Sequence, residues 1–239
     1  MQEPLARLEN ICKSFPAGRV ALMSKRLSAI GLCPKIISKN AEYSEVLSGI
    51  SLSIGRGESI GLSGPNGCGK TTLLKIIAGV YRHDSGSLTV NGRVGAIFMP
   101  GIELLPTLSA EENLVAYAMM HGLSHHMAQK IKAEVFELSG LTSSKKKSCA
   151  AFSMGMTIRF CLTVMMFSKP DLIILDETLT FADRSFRDEI SKRLADVISA
   201  GSSAIIVSHE QSLLDRFCTR SVRLDKGRIV SDSGTAARS

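Results

Sequence analysis

The chain has 239 residues, enough for one large domain or at most two small ones. Hydrophobic residues make up 44% and charged residues 21%, a balance that excludes a disordered or collagen-like tract, and no run approaches the ~18 to 20 apolar residues of a membrane helix. Twenty-nine Lys and Arg against 22 Asp and Glu leave a net charge of +7, which favours an anionic partner (nucleotide phosphate, nucleic acid, acidic lipid or acidic protein) without choosing among them.

The N-terminal stretch MQEPLARLENICKSF lacks the apolar core of a secretory signal. The six cysteines (Cys12, Cys33, Cys68, Cys149, Cys161, Cys218) form no C-x-x-C pair, so neither a zinc site nor a disulfide scaffold is indicated, and free thiols in a reducing cytoplasm are the simplest reading. The first thirteen or so residues are predicted as a short edge strand. From Pro16 to Tyr43 the pattern breaks: Arg19, Lys25, Arg26, Lys35 and Lys39 face only Glu42, and Val20, Leu22, Met23, Leu27 and Ile30 share a helical face, as in a basic, partly helical insertion at about 16–45.

Ile50, Leu52 and Ile54 alternate with polar or small residues as in a half-buried strand, and Ser59 to Ser63 is a second strand that runs into a glycine-rich loop. Leu73, Leu74, Ile76 and Ile77 then give a buried helix face ending near Gly79. Leu88 and Val90, the Asn91-Gly92 turn and residues 94–98 predict a hairpin. About 110–170 is mainly helical, with Leu114, Ala118, Val135, Phe136 and Leu138 buried and Lys145, Lys146 and Lys147 on an exposed turn; residues 158–167 form an apolar helix. The unbroken apolar runs 172–175 and 204–207 suit central strands covered on both faces, and the Asp225-Lys226-Gly227 turn closes a late hairpin. No internal repeat is present. The sum is an α/β domain with a mostly helical insert.

Gly64-Pro65-Asn66-Gly67-Cys68-Gly69-Lys70-Thr71 fits G-x-x-x-x-G-K-[ST]. Glycines let successive N–H groups wrap a triphosphate at a helix N-terminus, Lys70 places a cation on the β- and γ-phosphates, and the Thr71 hydroxyl ligates Mg²⁺. Thr72 completes this ATP-binding set. A plain glycine turn before a helix is the alternative; the strand before the loop and the helix after it favour the phosphate site. Cys68, inside the loop, is expected to react with a bulky thiol reagent. The apolar strand before Asp176-Glu177 delivers Asp176 to the Mg²⁺ site and lets Glu177 take a proton from an attacking water, the alternative being a surface helix cap. His209, in Val207-Ser208-His209, follows another apolar strand and reaches the same crevice, where ligands bind in open α/β sheets; a lone histidine there is otherwise structural. Ser153 and Gly155 open the helix at Ile158 and offer a second anion site, although as bare sequence they are only a good N-cap.

In this order the four motifs resemble an ATP-binding-cassette (ABC) ATPase over nearly the whole chain. The resemblance implies a P-loop, RecA-like α/β nucleotide-binding domain with an antiparallel β subdomain and a helical subdomain, binding ATP and Mg²⁺. It makes Ser153, Gly155 and Met156 the signature that caps a γ-phosphate held by a second copy, places Asp183 at the D-loop near the dimer seam, and makes Phe15 or Tyr43 the adenine-stacking aromatic. More narrowly, the chain is similar to ATPase subunits that export O-antigen, capsular polysaccharide or teichoic acid. The signature reads Phe-Ser-Met-Gly-Met where that subfamily commonly has Tyr-Ser-Ser-Gly-Met. Met99-Pro100 occupies the Q-loop glutamine position, and residues 101–113 resemble the subfamily's Gly-rich, Pro-x-Leu-Thr-Gly-x-Glu-Asn segment. The basic insertion lies where these exporters carry an extra helix. Met154 for serine, Ala110 for glycine, and Glu103 and Leu104 in the Gly-rich segment depart from the pattern.

The implied partners are a second copy of the chain and a separate integral membrane permease, with no stable nucleic-acid binding and a peripheral place on the cytoplasmic face of the inner membrane. The chain is expected to lack the C-terminal carbohydrate-binding domain of some exporters. The alternatives are an ABC ATPase for another cargo (drug, lipid or peptide), a soluble non-transport ABC protein, and a non-hydrolysing binding module.

Overall fold

The computed structural model describes residues 3–16, 43–98, 104–178 and 184–234. The interior of the basic insertion, the 99–103 stretch and Asp183 lie outside them. The margins of the predicted insertion are strand: Pro16 ends β1 (Ala6–Pro16) and Tyr43 begins β2 (Tyr43–Ile54).

β1 pairs antiparallel with β2 on one side and with β4 (Ser85–Val90) on the other. It is therefore the centre of a three-stranded sheet and not the edge strand expected from sequence. The second partner, β4, returns from beyond β3 and the first helix, a long-range pairing that no local pattern announces.

The second sheet has six strands in the order β5 (Val94–Ile97), β6 (Leu172–Asp176), β7 (Ser203–Val207), β3 (Ser59–Ser63), β8 (Arg220–Asp225) and β9 (Arg228–Asp232). All neighbours run parallel except β8 and β9, which form the expected late hairpin. The apolar runs in β6 and β7 have a direct explanation in the packing. Ile173, Leu175, Ala204 and Ile206 face one core with the helices beyond residue 110, while Leu172, Ile174, Ile205 and Val207 face a second core with the helix at 70–77 and the antiparallel sheet. Both pleat faces are dry, so neither needs polar residues.

The predicted hairpin across Asn91-Gly92 does not form, because β4 and β5 belong to different sheets. A two-residue type I′ turn needs positive φ at both central residues, and neither Asn91 nor Gly92 has it. The pair serves as a crossover instead: the Asn91 N–H donates to Leu5 O at 2.7 Å, and a Cβ at Gly92 would lie 2.7 Å from Asp171.

Among the described residues there are six α-helices: α1 (Lys70–Ile77), α2 (Ala110–Met120), α3 (His125–Leu138), α4 (Met154–Ser168), α5 (Arg184–Ser199) and α6 (Gln211–Phe217). Serines start the three helices of the 110–168 layer: Ser109 with Glu112 in a capping box, Ser124, and Ser153. Leu114, Ala118, Val135 and Phe136 are buried there as expected. Leu138 is only half-buried, and Lys145 lays its ammonium 5.5 Å from the Phe136 ring while Lys146 and Lys147 stay exposed.

Candidate nucleotide-binding and catalytic site

The loop 64–69 leaves β3 and enters α1 with its glycines in backbone conformations that a side chain would oppose. Gly64 has φ 145° and Gly69 has φ 108°. A Cβ on Gly64 would lie 2.0 Å from Leu224 O, and one on Gly69 would lie 2.7 Å from the Leu47 side chain. The loop is thus wedged between β2 and the end of β8, and the Gly227 N–H of the late hairpin donates to Cys68 O at 3.0 Å. The first intrahelical bond of α1 runs from Leu73 N to Gly69 O at 2.9 Å, so the N–H groups of Lys70, Thr71 and Thr72 remain for an outside acceptor. Pro65, Asn66 and Gly67 form the outer turn of the loop, and nothing lies within 4 Å of a Cβ at Gly67.

Lys70 is only 8% exposed, and its ammonium donates to two carbonyls of its own loop, Gly64 O at 2.8 Å and Pro65 O at 3.1 Å. That curl centres a cation in the loop. Cys68 is 6% exposed, which corrects the expectation of a reactive thiol: the side chain packs inward toward Gly64, away from a bulky reagent.

The Thr71 hydroxyl donates to Asp176 Oδ2 at 2.6 Å, across from the end of β6. Burial is the largest influence on Asp176 and raises its pKa, as does the neighbouring Glu177 charge; the Thr71 hydroxyl and the Lys70 and Lys75 ammoniums pull the other way. One hydroxyl and one carboxylate side by side are the hard oxygen donors that Mg²⁺ accepts, so the residues present fit that ion. Among the described residues no three of His, Cys, Asp and Glu converge on a metal cage, which leaves phosphate oxygens and water to complete such a shell.

Glu177 follows Asp176 with φ 54°, left-handed for a non-glycine residue, and its N–H donates to Val207 O at 3.0 Å. Strain of this kind gathers at functional sites. It turns the Glu177 carboxylate to His209, whose Nε2 lies 3.0 Å from Glu177 Oε1. In sequence these two residues lie 32 positions apart, each after an apolar strand, and the sheet makes those strands neighbours and brings the residues together. Thr178 then ties the chain down by donating to Ile97 O at 3.0 Å.

Ser153, Gly155 and Met156 sit elsewhere, at the start of α4 in the helical layer. The Ser153 hydroxyl accepts from Met156 N at 3.3 Å, the N-cap arrangement that bare sequence offers, and Met154 between them is exposed. The two aromatic candidates lie on neighbouring strands, Phe15 opposite Ser44 and Pro16 opposite Tyr43. They differ in freedom. Phe15 packs edge-on against Tyr81 at 5.5 Å, with the Lys13 ammonium 5.3 Å from its ring, whereas Tyr43 is 53% exposed.

Sequence reasoning missed Lys75, whose ammonium lies 5.3 Å from the Tyr81 ring and 5.7 Å from the Phe98 ring. The available signal was its spacing: Lys75 is four residues after Thr71 and so shares its helix face. It also missed Leu224 and Gly227, which wall the loop, because nothing local links them to residue 64.

The family profile described as ABC transporter matches residues 47–180, more than half of the chain and all of the loop, α1 and β6 just described. The chain belongs to the ABC transporter family. It is the ATP-binding cassette, the ATPase unit, of that family. Among relatives, the cassette is 33% identical over 229 residues to the O-antigen export system ATP-binding protein RfbE of Yersinia enterocolitica, spanning 94% of the chain and 96% of the relative. The O-antigen export system ATP-binding protein RfbB of Klebsiella pneumoniae is 29% identical over 239 residues, spanning 99% and 96%. The linearmycin resistance ATP-binding protein LnrL of Bacillus subtilis (strain 168) is 36% identical over 198 residues, which cover 78% of the cassette but only 63% of LnrL.

Solved structures carry the same fold. One described as the ATP binding subunit of an ABC transporter superposes with a TM-score of 0.77 at 21% identity, covering 96% of this cassette and 89% of that chain. A dimeric, post-hydrolysis ATP-binding cassette bound to ADP and Pi gives 0.75 at 19%, covering 95% and 97%. The α/β cassette architecture expected from sequence is therefore the fold. Among the described residues no helix is long and apolar enough to cross a membrane.

Proposed function

We propose that this ABC ATPase powers export of a polysaccharide or lipid-linked glycan across the cytoplasmic membrane through a separate transmembrane subunit. The chemistry is carried by one observation: Glu177 and His209 meet at 3.0 Å beside the Thr71–Asp176 pair, at the mouth of the phosphate loop. The cargo reading is supported by relatives named for O-antigen export that match nearly end to end. The identity to LnrL favours a second reading, a drug as cargo.

In the proposed cycle, ATP lies along the loop with its phosphates on the N–H groups at the start of α1, and Lys70 exchanges its carbonyl partners for the β- and γ-phosphate oxygens. Thr71 and Asp176 would hold Mg²⁺, which would supply charge neutralisation to the phosphates. Glu177 accepts a proton from the water that attacks the γ-phosphorus, the bond to the β-phosphate oxygen breaks, and ADP and phosphate leave. His209 holds Glu177 and faces the phosphate. Tyr43 is the adenine platform: it is free, and it lies three residues, about 10 Å of strand, before Val46, which abuts the loop.

The functional unit is a pair of copies, each a single domain over residues 1–239. Ser153, Gly155 and Met156 of one copy cap the ATP of the other, with Asp183 at the seam, an isologous closure that excludes bulk water. The helical subdomain at about 110–170 faces the permease. Purification from native membranes tests this: a stoichiometric multi-spanning subunit carrying glycan-linked lipid is the expected result. A spanning partner without glycan would remove the polysaccharide cargo, and nucleic acid or ribosomes in its place would remove transport.

A further inference from the structure

The Glu177–His209 contact needs His209 to stand at one tilt, and the strand end that carries it does not set that tilt alone. β7 stops at Val207, and Ser208, His209 and Glu210 form the turn into α6, with Glu210 at its N-cap. Inside the turn the Glu210 N–H donates to Ser208 Oγ at 3.0 Å. On its outer side one guanidinium nitrogen of Arg187, from the first turn of α5, reaches Glu210 Oε1 at 2.6 Å. Arg187 lies between Phe186 and Ile190, both buried against the sheet, so the cation is anchored on a packed helix and the carboxylate on the turn.

We propose that the Arg187–Glu210 pair is a positioning device that sets His209 against Glu177. Arg187 meets the turn through Glu210. It acts through the turn, while Glu177 is fixed separately by its backbone bond to Val207. Both halves of the contact thus start from the end of β7, and the ion pair adds a second support, α5, to the turn that carries the histidine. A bidentate-capable, charge-assisted donor is the right chemistry for holding a short turn, since small displacements at a reacting pair cost far more in rate than in stability. As a purely structural bond the pair would count for little, because its side chains are 27% and 42% exposed.

The inference rests on the ATPase assignment of Glu177 and His209, and the test separates the two. Steady-state ATP hydrolysis, nucleotide affinity and Tm are compared for the full-length chain and for Arg187→Ala, Glu210→Gln, His209→Ala and Arg187→Ala/His209→Ala. Arg187→Ala and Glu210→Gln are each expected to lower kcat about tenfold, with KM for ATP within about twofold of wild type. The double variant is expected to match His209→Ala, because Arg187 has nothing left to position. Should Arg187→Ala fail to fold, the nearly isosteric Glu210→Gln carries the same test. Unchanged kcat with only a lower Tm, or losses that multiply in the double variant, would overturn the positioning role. A wild-type chain that binds ATP without hydrolysing it would remove the ATPase assignment, and the inference with it.

Discussion

Glu177 illustrates how much one residue's backbone decides. Its left-handed φ is what aims the carboxylate at His209 and leaves the N–H for Val207. Glu177→Gln keeps a side chain of the same shape and removes the proposed proton acceptor, so turnover is expected to fall by about 10²-fold or more while ATP affinity stays within about threefold; single-turnover hydrolysis and equilibrium binding check the two halves. Equal turnover would strip Glu177 of the base role. Gly64 is constrained differently. Alanine there would place a methyl 2.0 Å from a backbone carbonyl that cannot step aside, so Gly64→Ala is expected to displace the loop and weaken ATP binding by about tenfold or more, read by titration with a fluorescent ATP analogue. Retained affinity would mean that the loop tolerates a shift away from β8.

Among the elements, α2 of the helical layer is secured at both of its ends. At its start, the Ser109–Glu112 capping box and the nearly buried Asn113 hold the 105–109 segment: the Asn113 amide donates to Leu105 O, Leu108 O and Ser109 O, and its Oδ1 accepts from Leu105 N. At its end, the His121 ring packs edge-on against Tyr117 at 4.5 Å, and burial pushes its pKa down from 6.5 to about 4. The sign of the pH effect follows from the two states. Below pH 6.5 the unfolded chain takes up a proton that the folded imidazole refuses until about pH 4, so acid favours unfolding, by about 2 kcal/mol at pH 5 relative to neutral pH. Urea unfolding at pH 7.5 and pH 5 is expected to show this loss, and His121→Phe to reduce it; an identical pH slope in the variant would place the effect elsewhere.

At the scale of the whole molecule, two sheets must be held at a fixed angle for the loop to stay wedged between β2 and β8. Arg220 on β8 does this from within the sheet: it donates to Asp232 on β9 at 2.7 Å, to Glu58 before β3 at 3.0 Å and to Ser53 O on β2 at 2.9 Å. The Arg220 hydrogen bonds hold the Asp232 carboxyl below its ordinary value against the opposing effect of burial, and they hold the guanidinium charged. Removing the cation leaves two carboxylates together in a sparsely hydrated seam, so Arg220→Met is expected to cost about 3 kcal/mol or more at neutral pH by urea unfolding. Because the folded-state pKa of Asp232 is depressed, its contribution is present above the ordinary carboxylate range and fades as pH falls through the lowered value. A deficit that instead grew on acidification would mean that the carboxylates are not what Arg220 serves.

The phosphate loop was legible without any fold because its requirements are local. Glycines at 64 and 69 are needed where the backbone turns left-handed, and Lys70 and Thr71 follow at fixed steps on the first helical turn. Asp176 and Glu177 were legible for a related reason, an apolar strand with both faces buried that ends in acids. The sheet's own strand order was not. Antiparallel pairing of β1 with β4 and the separation of β4 from β5 depend on which distant segment covers which face, and an Asn-Gly pair reads as a hairpin until tertiary contacts impose another backbone. The same holds within the site. Sequence named Glu177, His209, Phe15, Tyr43 and Cys68 one by one; packing alone paired the first two, occupied Phe15 with Tyr81, left Tyr43 open and turned Cys68 inward. Residue types at short spacing determine which chemistry is possible here, while contacts between strands far apart in the chain decide which of those groups meet.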